Sequence, residues 1–180
     1  MISPSLKMEV TRHIFSKVIM QNDIFHDKNV TNETLLEFVL QRVTTTSYPP
    51  EDVIIKQGND ANELYFLSKG ECEVLVKNEY HIESLVRILK EGALFGEVGL
   101  IANGRRTATI TCLNYCTCAA LSLVNFREMC RQFPETYNKL KEKRKKYKDK
   151  WKQFLRRLVL SIEYFQGLSE NSIDELIYSL

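Results

Sequence analysis

FGEVGLIANGRRTATI, residues 95–110, is the stretch on which the reading of this chain turns. It interrupts a run of strand-like segments with three glycines and no apolar alternation, which marks a functional loop containing a short helical turn. Gly96 and Gly99 allow the backbone to come close to a ligand without steric cost. With Glu97 and Val98 they open a turn whose free N–H groups form a cradle for an anion. Arg106 adds a planar, permanently charged fork for anionic oxygens, and Glu97 adds a carboxylate that accepts a hydroxyl. Taken singly, each residue has a plainer role: Glu97 as a first-turn acid, Gly99 as a packing residue and Arg106 as a surface charge after a Gly turn. Together, in a β-rich body punctuated by glycine, they point to an anion site.

The flanks supply that body. From Thr44 onward the runs DVIIKQ, ELYFLS, ECEVLV, LVRIL, TATITC and CAALSL are separated by Pro49-Pro50, Gly58-Asn59-Asp60, Lys69-Gly70, Lys77-Asn78 and Glu91-Gly92. Strands this short and evenly spaced predict an antiparallel, jelly-roll-like β-roll rather than β-α-β units. Helices enclose it. Residues 3–21 carry Leu6, Val10, Ile14, Phe15 and Val18 at helical spacing behind Ser3 and Pro4, and Thr31 caps a second helix with Leu35, Leu36, Phe38, Val39 and Val43 as its apolar stripe. After Leu123, VNFREMCRQF reads as a short helix, and Pro134 opens a long one running to about Leu160. The fold class expected is α+β: a β-roll with N-terminal helices, a short helix after Phe95 and a long C-terminal helix.

The segment 95–110 resembles the phosphate-binding cassette of the cyclic-nucleotide-binding domain family, and is most similar to the domains of cyclic-nucleotide-gated and hyperpolarisation-activated channels. PPEDVIIKQGNDANELYFLSKGECEVLV before it and FREMCRQFPE after it extend the resemblance over roughly residues 20–155. The resemblance implies a ligand, cAMP or cGMP, with no other cofactor. It makes Phe95, Gly96, Glu97, Val98 and Gly99 the cassette, Gly96 and Val98 backbone donors to the phosphate, and Glu97 the ribose contact. Arg106 becomes the phosphate cation and Thr107 a hydroxyl partner that leaves cGMP open without excluding cAMP. Val74 and Leu89 fall where the family's strands line the purine, with core packing an equal explanation. Tyr147 and Trp151, at i, i+4 on the long helix, fall near the family's base-capping positions, with burial against a neighbouring domain the competing role.

SPSLKMEVTRHIFSKVIM resembles the end of the linker between a channel pore and its nucleotide domain. The domain reading is therefore a linker end at 1–22, a cyclic-nucleotide-binding domain at 23–158 and, at 159–180, the start of a second, truncated copy. YFQGLSENSIDELIYSL echoes IFHDKNVTNETLLEFVL in its aromatic entry, short loop, Ser or Thr cap and amphipathic helix, although an unrelated capped helix would read the same way. The parent protein implied is a cyclic-nucleotide-regulated cation (potassium) channel in a membrane, with this segment as its cytoplasmic gating domain. Its partners are then the rest of the polypeptide and the other subunits of a tetramer. A regulatory subunit of a cyclic-nucleotide-dependent protein kinase is the alternative, and would account better for a second copy.

Other classes fit less well. His13, His26 and His81 lie outside the cassette and no nucleophile–base pair is present, which argues against an enzyme. A cAMP-responsive transcription regulator would need a helix-turn-helix, and only about 20 residues follow Leu160. Lys139 to Arg157 holds 11 of the 25 lysines and arginines but only Glu142 and Asp149 among the 23 acids, giving +9 there and −7 elsewhere. The basic charge belongs to one helix and does not make the domain a nucleic-acid binder. No stretch reaches the roughly 18 consecutive apolar residues of a membrane span, so the membrane is expected only through the parent. Cys112, Cys116 and Cys118 sit in strand-like sequence without a histidine nearby and read as small buried hydrophobes rather than metal ligands.

Overall fold

The computed structural model describes residues 3–22, 24, 32–77, 82–146, 150–165 and 167–179. Two four-stranded antiparallel sheets face each other. One has the order β1 (Thr44–Tyr48), β8 (Cys116–Ser122), β3 (Glu63–Lys69) and β6 (Leu94–Phe95). The other runs β2 (Val53–Ile55), β7 (Thr109–Cys112), β4 (Cys72–Lys77) and β5 (Glu83–Leu89). With its helices this is the α+β roll that the strand spacing predicts. The six runs read as strands all contribute; β1 and the two-residue β6 are added by the structure.

Strand alternation divides the first sheet between two cores. Tyr65 and Leu67 of β3, with Cys118 and Ala120 of β8, point into the roll toward Ile55, Cys72, Val74, Leu89, Ile110 and Cys112. Leu64, Phe66, Ala119 and Leu121 point the other way, into a helical layer. Both faces of this sheet are thus covered, which is why ELYFLS and CAALSL read as continuous apolar runs instead of alternating ones.

The helical layer is α1 (Pro4–Gln21), α2 (Asn32–Leu40), α4 (Leu123–Gln132) and α5 (Pro134–Lys146). Ser3 caps α1 as read, its hydroxyl accepting from the Leu6 amide at 3.2 Å. The cap assigned to Thr31, like His26 and His81, lies outside the described residues. Phe15, Val18 and Ile19 are the face that α1 buries, whereas Leu6, Val10 and Ile14 are 49%, 47% and 37% exposed. The stripe read from the sequence therefore divides, because only the C-terminal half of α1 lies over β3 and α2. Arg12 pairs with Glu37 to hold the two helices side by side.

The long helix is seen as α5 and α6 (Lys150–Ser161) on either side of residues 147–149. A helical turn at Glu163–Phe165 then leads to α7 (Glu170–Ser179), whose amide at Ser172 is capped by the Ser169 hydroxyl at 3.3 Å. Leu155 and Val159 of α6 pack on Ile173 and Ile177 of α7, and Arg156 donates to Asp174 at 2.9 Å and Glu170 at 3.0 Å. Among the described residues no helix is long and apolar enough to cross a membrane.

Candidate functional site

The loop after β6 folds as its glycines require. Gly96 has φ +86°, a left-handed conformation that glycine adopts freely and side chains resist, and it precedes α3 (Glu97–Ile101). A Cβ at Gly96 would also lie 2.8 Å from Arg106 Nη1 and 3.2 Å from the Glu63 carbonyl oxygen. Gly99 has a different role. There, a Cβ would meet Ala61 Cβ and the Arg105 carbonyl oxygen at 2.8 Å each, so α3 passes its neighbours too closely for any side chain. This packing demands glycine at 99 whatever the loop binds.

The loop then returns beneath its own start. The Arg106 amide donates to the Asn59 carbonyl at 2.8 Å and the Gly58 amide to the Arg106 carbonyl at 2.9 Å, which pins the cassette strand to the turn after β2. Arg106 is 7% exposed, and its side chain reaches back across the loop. Nη1 donates to the Gly96 carbonyl at 2.8 Å and Nη2 to the Glu63 carbonyl at 2.7 Å. Burial lowers its pKa from the ordinary guanidinium value, opposed by nearby Tyr65, Glu63 and Glu97. Arg105 is exposed and donates to the Gly58 carbonyl at 3.2 Å.

Glu97 is 1% exposed at the first residue of α3, so a carboxylate and a guanidinium share one buried corner with the Gly96 backbone between them. Phe95 closes the floor by stacking on Tyr65, ring centroids 5.2 Å apart, and the Arg106 guanidinium carbon lies 5.8 Å from the Tyr65 ring. The Tyr65 hydroxyl donates to the Glu63 carboxylate at 2.5 Å. Burial first, and this bond second, push its pKa well above the usual phenol range.

Of the residues singled out in the sequence, Phe95, Gly96, Glu97, Val98, Arg106 and Thr107 come together around this corner, Val98 and Thr107 half-buried. Val74 and Leu89 are buried in the same apolar cluster as Phe95, at the inner side of β4 and β5, where packing and ligand contact are both open to them. Tyr147 lies outside the described residues, and Trp151 stands in the first turn of α6. Sequence reasoning missed Glu63 and Tyr65. Glu63 serves Arg106 through its backbone carbonyl, for which no residue type is a signal; Tyr65 was legible only as one more aromatic in ELYFLS.

Residues 45–133 match the cyclic nucleotide-binding domain family. The potassium/sodium hyperpolarization-activated cyclic nucleotide-gated channel 2 of Mus musculus is 28% identical over 129 residues, 72% of this chain and 14% of the channel. Channel 4 of Oryctolagus cuniculus is 27% identical over 133 residues, 74% of this chain and 11% of the channel. The chain thus spans only about a seventh to a tenth of these curated relatives. Among solved structures, the regulatory subunit of a cAMP-independent protein kinase A from Trypanosoma brucei superposes with a TM-score of 0.69 at 17% identity, covering 81% of this chain and 52% of that one.

Proposed function

We propose that this chain, whose residues 45–133 are a cyclic nucleotide-binding domain, senses cAMP or cGMP and passes binding on as a regulatory conformational change rather than as catalysis. The observation that carries this reading is the buried corner in which Arg106, the Gly96 backbone and Glu97 converge. A cyclic nucleotide presents one ring phosphate charge beside a ribose hydroxyl. Arg106 supplies the cation, the amides of Gly96 and Val98 the phosphate cradle, and Glu97 the hydroxyl acceptor. Carbonyls engage two of the guanidinium's N–H donors; a guanidinium carries five, and phosphate oxygens would take others. Thr107, next to that cation, bears on the choice between the two bases.

The parent we infer is a cyclic-nucleotide-regulated cation channel in a membrane, this segment being its cytoplasmic gating domain, with 1–22 as the end of the pore linker and other subunits as partners. Similarity to the hyperpolarization-activated channels supports that reading. A kinase regulatory subunit is the second reading, favoured by the capped α7 after α6, which has the form of the first helix of a further copy.

Calorimetric titration with cAMP and cGMP tests the binding function, with a stoichiometry near one expected for at least one of them. Neither heat nor a shift in unfolding temperature with either nucleotide at millimolar concentration would overturn it. For the parent, the measurement is the current carried by a pore fused to residues 1–180; a nucleotide response that depends on Arg106 supports the channel, and a nucleotide-binding fusion with an unresponsive current refutes it.

A further inference from the structure

At the end of the roll away from the cassette, three thiols meet. The antiparallel register places Cys72 of β4 directly opposite Cys112 of β7, and Cys116 opens β8 in the facing sheet after the turn at 113–115. The three Sγ atoms all lie within 4.8 Å of one another, with Cys72 and Cys116 at 3.5 Å. None of the three residues is more than 2% exposed. The spacing of Cys112, Cys116 and Cys118 along the chain could not reveal this, because the third member comes from a strand 40 residues earlier and Cys118 is not in the set.

We propose that Cys72, Cys112 and Cys116 form a trigonal thiolate site for a soft, closed-shell cation of the Cu(I) type. A metal–sulfur bond of about 2.3 Å sets three sulfurs in a plane around one ion roughly 4.0 Å apart, inside the range these sulfurs already occupy. Among the described residues no His, Asp or Glu joins the group, so its donors are uniformly soft and select thiophilic ions over Mg²⁺ or Ca²⁺. Three donors in a dry interior suit an ion content with three ligands better than Zn²⁺, which takes four. Each sulfur that binds as thiolate gives its proton to solvent.

The entry route is the β7–β8 turn. Leu113 is 44% and Tyr115 74% exposed, while Cys116 Sγ lies directly below, 3.3 Å from the carbonyl oxygens of Asn114 and Glu71. A bound ion would tie β4 and β7 of one sheet to β8 of the other. It would lie about 10 Å along the strands from the Leu75–Thr109 pair, three residues from the Cys72–Cys112 pair, and beside Leu89, which pairs with Cys72.

The test uses Ag(I), the redox-inert congener of Cu(I), on the full chain in chloride-free buffer with a millimolar monothiol competitor. One equivalent should survive gel filtration and raise the unfolding temperature, and X-ray absorption should show a shell of three sulfurs. Cys72→Ala, Cys112→Ala and Cys116→Ala should each weaken retention at least about tenfold, whereas Cys130→Ser, which alters the half-buried thiol of α4, should leave it within about threefold. Circular dichroism identifies any variant that fails to fold. The spectroscopic shell of the unaltered chain is independent of the variants, and a shell of two sulfurs refutes the site. So would silver retained equally by a folded Cys112→Ala chain, or lost with Cys130→Ser.

Discussion

Replacing Arg106 with alanine separates two jobs that the geometry gives to one side chain. The guanidinium bridges the Gly96 and Glu63 carbonyls at 2.8 and 2.7 Å and so ties the loop after β6 to β3. A hydrogen bond to a charged group contributes about 1.5–3 kcal/mol, and truncation strands two partly buried carbonyls, so Arg106→Ala should destabilise the free domain by about 2–4 kcal/mol. For a chain of this size that lowers the unfolding temperature by roughly 4–16 °C. Loss of the phosphate contact should then weaken nucleotide binding by a further 1.5–3 kcal/mol, roughly 10- to 150-fold. Arg105→Ala is the internal control: its side-chain bond, 3.2 Å to the Gly58 carbonyl on the exposed rim, predicts a change within about 0.5 kcal/mol in both measurements. Scanning calorimetry reads the first effect and isothermal titration the second. If Arg106→Ala melts lower but binds nucleotide as before, the residue is a brace and not the phosphate cation. If Arg105→Ala matches it in affinity, the cation has been assigned to the wrong arginine.

Gly96→Ala forces a left-handed residue and places a methyl 2.8 Å from Arg106 Nη1; chemical denaturation should show a loss of at least about 1–2 kcal/mol, and an unchanged midpoint would mean that the loop is not held as described. Burial pushes the thiols of Cys112 and Cys118 from their ordinary 9.0 up to about 12, and that of Cys130 up to about 11. The unfolded chain therefore loses these protons first as the pH rises past 9, and stability should fall between about pH 9 and 12 by up to roughly 1.4 kcal/mol per pH unit for each thiol. Cys118→Ala should flatten that slope in pH-dependent denaturation, and an unaltered slope would remove the thiol as a cause. Trp151, the chain's only tryptophan, should change its fluorescence on saturation with nucleotide if it caps the base. Trp151→Ala should then weaken binding by about 1–2 kcal/mol, and unchanged emission together with unchanged affinity would confine the site to the cassette.

What could be read from the sequence follows from how each feature is encoded. Ser3-Pro4 and Pro134 announce helix starts through local chemistry, and those starts stand where they were read. The turn into α3 was legible because Gly96 must accept a positive φ, and glycine is the residue that does so without cost. β1 was not legible: Thr44, Thr45, Thr46 and Ser47 are exposed, so the strand carries no apolar alternation and exists through its pairing with β8. β6 is two residues long and defined by its partner β3. The apolar stripe of α1 misled in part, since periodicity shows which residues share a face but not how far along the helix that face is covered. The brace between Arg106 and Glu63 joins residues 43 apart through a main-chain oxygen, and no choice of side chain at 63 encodes it.

That brace bears on how binding could be relayed. A ligand shifts an equilibrium only by contacting one arrangement better than another, so under the proposed function phosphate would have to draw Arg106 or the α3 amides away from this brace. Any such movement meets α4, because the Arg127 guanidinium donates to Asn103 Oδ1 at 2.7 Å in the loop that follows α3. Asn103 holds φ +51°, so the turn it occupies has few other conformations to absorb the displacement. Phe126 and Met129 of α4 are buried with Phe38 of α2 and Phe15 of α1, which makes the helical layer one packed unit from the cassette to the N-terminal helix. Arg127→Ala should therefore leave nucleotide affinity within about threefold, the contact being exposed, yet weaken the ligand's effect on α1, read as the change in hydrogen exchange across residues 11–19 on adding nucleotide. If that change persists undiminished in the variant, the Arg127–Asn103 contact is not the relay, and transmission runs through α3 and α5 instead.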